Sequence, residues 1–205
     1  MLQYYLLYKP FQVLCQFSPE GDKKTLADFF PDLPKDIYPA GRLDYDSEGL
    51  LLLTNDKQLS HRLTDPAYGH ERIYLVQVEG AITKDAIQQL QHGVTINING
   101  KLHQTLPAKA SIVTDLPHLP ERNPPIRYRK EIPTSWLSLT LTEGKNRQVR
   151  RMTAAVGFPT LRLIRYSIGS VTIEGIEPGQ YRKADGKVRQ ALLLKSQLLS
   201  KGAAE

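Results

Sequence analysis

Arg42, Asp44, Asp46 and Glu48 alternate along a nine-residue stretch closed at each end by glycine, Gly41 and Gly49, and the chain then runs directly into Leu50-Leu51-Leu52-Leu53. A carboxylate fixed in such a turn can serve as a nucleophile or a general base, and a neighbouring guanidinium can meet a polyanion. Two other chemistries use the same residue types. A calcium loop would take Asp44, Asp46, Glu48 and Gly49 as its first, third, fifth and sixth positions, but Leu52 and Asn55 then stand at the ninth and at the twelfth, where a bidentate glutamate is required. Four consecutive leucines would also bury a loop that has to stay open to a hydrated ion, so calcium is set aside. A metal-dependent nuclease built on Asp44, Asp46 and Glu48 predicts an activity killed by chelation. The remaining alternative is a solvated acidic loop with no chemistry.

A second set of reactive side chains is cationic. Lys145, Arg147, Arg150 and Arg151 crowd the start of an expected helix, beginning Glu143-Gly144-Lys145-Asn146-Arg147-Gln148-Val149-Arg150-Arg151-Met152. Cations at a helix N-terminus oppose the helix dipole. The arrangement is sensible where a phosphate sits, because free amides and cations then act together. From residue 121 to 165, ten Lys or Arg face only Glu121, Glu131 and Glu143, a surplus of seven positive charges against a net +6 for the whole chain. One face of the protein is therefore expected to meet a polyanion.

The elements that must position these groups follow from periodicity. The leucine run is short and continuous, which fits a strand buried on both faces, and Gly41 and Gly49 give the turn before it its freedom. Residues 4–10 and 11–17 read as strands, the first ended by Lys9-Pro10, and 25–30 as a short helix capped by Thr25. Thr54 or Asn55 is expected to cap a helix carrying Leu59 and Leu63 and ending near Asp65-Pro66. A strand over 72–80 follows, then a helix over 83–92 with Ile87 and Leu90 inward and Gly93 as a left-handed stop. Asn99-Gly100 joins a hairpin of 94–98 and 101–106. Strands are expected over 110–114, 135–142 and 160–169. Val149, Met152 and Val156 form the buried stripe of the basic helix, and 187–199 reads as a last helix before a frayed tail. Between 115 and 134, Pro117, Pro120, Pro124, Pro125 and Pro133 forbid regular structure, while Arg122, Arg127, Arg129 and Lys130 make the segment basic. A loop of this length is either functional or disordered, and an RNA-contacting loop is the favoured expectation.

Gly-Arg-Leu-Asp followed by Ser-Glu-Gly and a leucine run ending Thr-Asn-Asp resembles the central motif of the pseudouridine synthases, in the branch that modifies ribosomal RNA. Lys9-Pro10, the strand Arg72-Ile73-Tyr74, the run from Gly144 to Met152 and the strand 160–169 resemble further motifs of that family. The resemblance implies Asp44 as the catalytic residue, Arg42 as the side chain that enters the RNA stack when the target uridine leaves, and Tyr74 as the ring against the flipped base. Arg72 stands where lysine is more usual. Arg150 is implied to pair with Asp44 and Val149 to pack beside the uracil; from the charge pattern, Lys145, Arg147, Arg151, Arg162, Arg165, Arg127 and Arg129 are expected on the RNA. The implied fold is α+β: a mostly antiparallel mixed sheet in two halves, flanked by helices, with a central basic cleft. The implied reaction isomerises a uridine of ribosomal RNA, in the 23S RNA of the large subunit or in a large-subunit assembly intermediate, without cofactor or metal. A non-catalytic RNA-binding assembly factor on the same fold is the alternative; it predicts salt-sensitive binding and no turnover.

A chain of 205 residues is long enough to bury roughly 70% of its unfolded surface. The expectation is a single catalytic domain, its N-terminal half about 1–68 and its C-terminal half about 69–200, with no additional RNA-binding domain ahead of Lys9-Pro10. Cys15 is the one cysteine, so an internal disulfide is impossible and a reducing compartment fits. No apolar run reaches membrane-spanning length. A soluble, cytoplasmic monomer is expected.

Overall fold

The structure is a computed structural model, and it describes residues 1–126, 129 and 131–194. In chain order its strands and helices are β1 (Tyr4–Lys9), β2 (Val13–Leu14), β3 (Lys24–Thr25), β4 (Tyr38–Pro39), β5 (Glu48–Thr54), α1 (Lys57–Thr64), β6 (Arg72–Glu79), α2 (Lys84–His92), β7 (Thr95–Ile98), β8 (Lys101–Gln104), β9 (Lys109–Val113), β10 (Thr134–Leu141), α3 (Gln148–Ala155), β11 (Thr160–Ile168), β12 (Val171–Thr172), β13 (Tyr181–Ala184) and α4 (Lys187–Leu193). The class is α+β, and its main sheet is mostly antiparallel. The chain divides into two compact units: Met1–Arg72 with the chain from Arg165 onward, and Ile73–Ile164. This differs from the expected division near residue 68, because the chain after β11 returns to the first unit, where β13 pairs with β1 from Tyr4↔Ala184 to Leu7↔Tyr181.

In the first unit, β5 lies antiparallel to β1 in the register Tyr4↔Thr54 to Lys9↔Gly49. All seven residues of β5 are buried, and Leu50 to Leu53 have no exposed surface, as a continuous apolar run requires. Tyr5, Leu7, Leu51 and Leu53 pack with Val13, Leu26, Phe30 and Ile37 to form its core. The expected helix at 25–30 is a 3-10 turn over Leu26–Phe29, and Thr25 and Asp28 close a full capping box on it. Helix α1 starts one residue later than expected, with Asp56 as its cap, its Oδ1 accepting from the Leu59 amide at 2.9 Å. Thr54 Oγ1 accepts from the Asp56 amide at 3.0 Å while donating to the Gln3 carbonyl at 2.6 Å, so it serves the residue before the helix, and Asn55 Oδ1 accepts from the Gln3 amide at 2.9 Å.

In the second unit, alternating residues of β6 and β10 meet α2 and α3 in a core that includes Val76, Val78, Ile87, Leu90, Leu137, Leu139, Val149 and Met152. β9 continues β10 in the register Trp136↔Val113 to Thr140↔Lys109. The hairpin β7–β8 turns through Asn99 and Gly100, both at positive φ, as its dipeptide demands. Gly93 ends α2 at φ 88° and ψ 148° rather than in the expected left-handed well. A Cβ there would stand 2.4 Å from the Thr105 carbonyl, so close backbone approach explains the glycine. Among the described residues, 114–133 carries no strand or helix. Helix α4 is described to Leu193; the part of the expected last helix beyond Leu194, and the tail, lie outside the described residues.

Candidate active site

The acidic turn is held by the backbone on every side. Its first corner is Asp44, whose carbonyl accepts from the Ser47 amide at 3.0 Å, closing a four-residue turn directly ahead of β5. The Ala40 amide donates to Leu52 O at 2.8 Å, the Gln12 amide to Tyr45 O at 2.8 Å, and the Leu43 amide to Cys15 Sγ at 3.2 Å. Arg165 of β11 adds two more bonds, from Nε to Leu50 O at 2.7 Å and from Nη1 to Arg42 O at 3.3 Å. Arg42 is exposed, Leu43 buried and Asp44 half-buried, so three consecutive residues present a solvent-facing cation, an anchor and a carboxylate.

Beneath the turn lies a buried charge cluster. Lys9 has no exposed surface and donates from Nζ to the carbonyls of Pro10 and Val13, each at 2.8 Å. Burial pushes its pKa down to about 8; Cys15, Glu48 and Asp46 pull it back up, and the Arg165 guanidinium adds to the lowering. Lys9 is thus a buried support of the turn's floor, with the half-buried Pro10 supplying one of its acceptors. Apart from the family resemblance of Lys9-Pro10, no sequence signal distinguished that from an ordinary strand end.

The basic segment before α3 is organised from within the second unit. Glu143 is 6% exposed, and its Oε1 accepts from the Leu106 amide at 2.8 Å and from Gln148 Nε2 at 2.6 Å. Gln148 Oε1 in turn accepts from the Lys145 amide at 2.9 Å, so a Glu–Gln pair fixes the Gly144–Arg147 turn. Arg147 caps α3 in the left-handed conformation at φ 52°, and Lys145 and Arg147 are exposed. Arg151 donates from Nε to Asn146 O at 3.1 Å, from Nη2 to Asn146 Oδ1 at 3.3 Å, and from Nη1 to Asn97 O. Arg150 is half-buried and donates to Thr160 O at 3.4 Å; Val149 is 5% exposed within the core, and Tyr74 is half-buried against the same cluster.

Two of the arginines expected to meet phosphate are placed otherwise. Arg162 is 7% exposed and donates to Pro120 O at 2.8 Å, and Arg165 is 4% exposed and bound to the backbone described above. Strand alternation alone could not tell a surface arginine from one buried against carbonyls. Arg129 is exposed and forms a 3.0 Å ion pair with Glu79. Arg127 lies outside the described residues.

Comparison with known proteins adds independent findings. The family model described as RNA pseudouridylate synthase matches residues 3–155. Ribosomal large subunit pseudouridine synthase E of Vibrio vulnificus is 51% identical over 175 residues, covering 85% of this chain and 72% of that protein. The protein of the same name from Xanthomonas campestris is 50% identical over 184 residues, covering 89% of this chain and 95% of that one. Among solved structures, a pseudouridylate synthase superposes with a TM-score of 0.77 at 33% identity, covering 94% of this chain and 74% of that chain.

Proposed function

This chain belongs to the RNA pseudouridylate synthase family, and we propose that it converts a uridine of large-subunit ribosomal RNA to pseudouridine through Asp44. The reaction breaks the N1–C1′ bond, turns the uracil and joins C5 to C1′; N1 gains a proton and the C5 proton leaves to solvent. Asp44 acts on the ribose, as nucleophile at C1′ or as base at C2′. The base must first leave the stack, at a cost of a few kcal/mol. Arg42, exposed beside Asp44, fills the gap with its planar cation. Tyr74 offers its ring to the displaced uracil, worth about 1–3 kcal/mol by the scale of base–aromatic stacking, and Val149 bounds the uracil on its apolar side. Arg150 pairs with the Asp44 carboxylate, and Lys145, Arg147 and Arg151 approach phosphates. The close relatives' names support large-subunit RNA as the substrate.

The observation that carries this reading is the turn itself. A half-buried carboxylate opens a hydrogen-bonded corner whose neighbours Leu43, Tyr45 and Leu50 are tied to distant parts of the chain and Ala40 to β5. A solvated acidic loop needs no such anchoring. The test is release of tritium from 5-labelled uridine in a 23S transcript or a large-subunit precursor particle. Asp44→Asn is expected to keep RNA affinity and to lose turnover on the order of 10⁴-fold, the scale of removing a nucleophile or base. Near-normal release by that variant would end the assignment.

A further inference from the structure

Arg165 stands on β11, yet its guanidinium bonds the acidic turn: Nε donates to Leu50 O at 2.7 Å and Nη1 to Arg42 O at 3.3 Å. These two carbonyls bracket Asp44 on either side. The bracket is reinforced by backbone contact, because a Cβ on Gly49 would lie 2.3 Å from the Arg165 carbonyl oxygen and 2.6 Å from its amide nitrogen. Arg165 is 4% exposed, and Nη2 is buried without a hydrogen-bond partner. A buried guanidinium nitrogen left unsatisfied is unfavourable. A cation placed to bind phosphate would have its free nitrogens in solvent instead. The planar fork is suited to this placement, since one side chain reaches two carbonyls eight residues apart in sequence, which a lysine cannot do in the same geometry.

We propose that Arg165 is a positioning residue for the pseudouridylation reaction: it fixes the Arg42–Leu50 turn, and so the place of the Asp44 carboxylate, and does not contact RNA. The inference rests on the functional reading given above. Displacement of a reacting group by about 1 Å costs on the order of 100-fold in rate, so loss of the bracket acts on the chemical step. It leaves untouched the charges that meet phosphate.

The experiment compares wild type, Arg165→Lys, Arg165→Met and Arg147→Ala on one ribosomal RNA substrate. Tritium release gives kcat and KM, and binding titrations over a range of salt give the slope of log K against log[salt]. For Arg165→Met, kcat is expected to fall roughly 100-fold, with KM, affinity and salt slope unchanged; Arg165→Lys should recover part of kcat. Arg147→Ala serves as the phosphate-contact comparison, its salt slope falling by about 0.7–0.9. If the Arg165 variants show the same loss of slope and affinity, or an unchanged kcat, the inference is overturned. Should they fail to fold, the Arg165 Nε–H resonance of the wild-type protein decides the matter: slow solvent exchange and no shift on adding RNA support positioning, and fast exchange or a large shift overturns it. A wild-type protein that releases no tritium would instead refute the functional reading, an outcome distinct from active wild type with active Arg165 variants.

Discussion

Lys9 shows how much a single side chain can couple the turn's floor to solution conditions. It is wholly buried and cationic at neutral pH, with its pKa lowered by burial to about 8 from an ordinary 10.5. The unfolded chain holds that proton to about 10.5, so between pH 8 and 10.5 the unfolded state binds more protons than the folded one. Stability therefore rises with pH across that window, by up to about 3 kcal/mol in total. Below pH 8 the lysine is charged in both states and adds no slope. Tyr4 and Tyr166 act oppositely: burial raises both phenols, so their contribution is present below pH 10 and is lost above it. Urea unfolding between pH 7.5 and about 9.5 is expected to show rising stability in the wild type and a flat profile in Lys9→Met. A flat wild-type profile would show that the charge is not confined as the structure has it.

At the scale of elements, the junction of the acidic turn with β5 is the least forgiving place in the first unit. Gly49 has φ +112° and lies against the Arg165 backbone, so Gly49→Ala combines backbone strain with overlap against atoms that cannot rotate away. A destabilisation of about 3 kcal/mol or more is expected, a fall in Tm of roughly 6–12 °C for a chain of this size. Gly144→Ala, where no atom lies within 4 Å and φ is ordinary, should stay within about 0.5 kcal/mol. Scanning calorimetry distinguishes the two. The sequence made the turn, the leucine strand, the Asn-Gly hairpin and the basic start of α3 legible, because each is determined by residues near one another. It did not reveal Asp56 as the cap of α1, since the long-range bond from the Gln3 amide occupies Asn55 Oδ1 and Thr54 Oγ1 is taken by the Asp56 amide. Nor did it show that Arg165 faces inward: whether a strand arginine meets solvent or carbonyls is decided by what packs across from it.

At the scale of the molecule, the first unit is assembled from both ends of the described chain. Strand β13 covers β1, and Arg189 of α4 donates to Asp56 Oδ2 at 2.9 Å, the carboxylate oxygen that also accepts from Tyr4. A chain stopped after residue 180 would leave β1, buried throughout its length, as a bare sheet edge, and would remove the charge opposite a buried aspartate. Aggregation on expression, or a Tm lower by roughly 10 °C or more, is the expected result; a soluble fragment with native circular dichroism and an unchanged Tm would show that β13 and α4 are dispensable.

The arginine that clasps the acidic turn is translated 123 residues after the first carbonyl it holds. At about 5–20 residues per second, the segment bearing Asp44 waits on the order of ten seconds in the nascent polypeptide before that clasp exists. On the role proposed for Asp44 and Arg165, a half-made chain carries that carboxylate unset, and competence follows only after β11 has emerged from the ribosome that is making it.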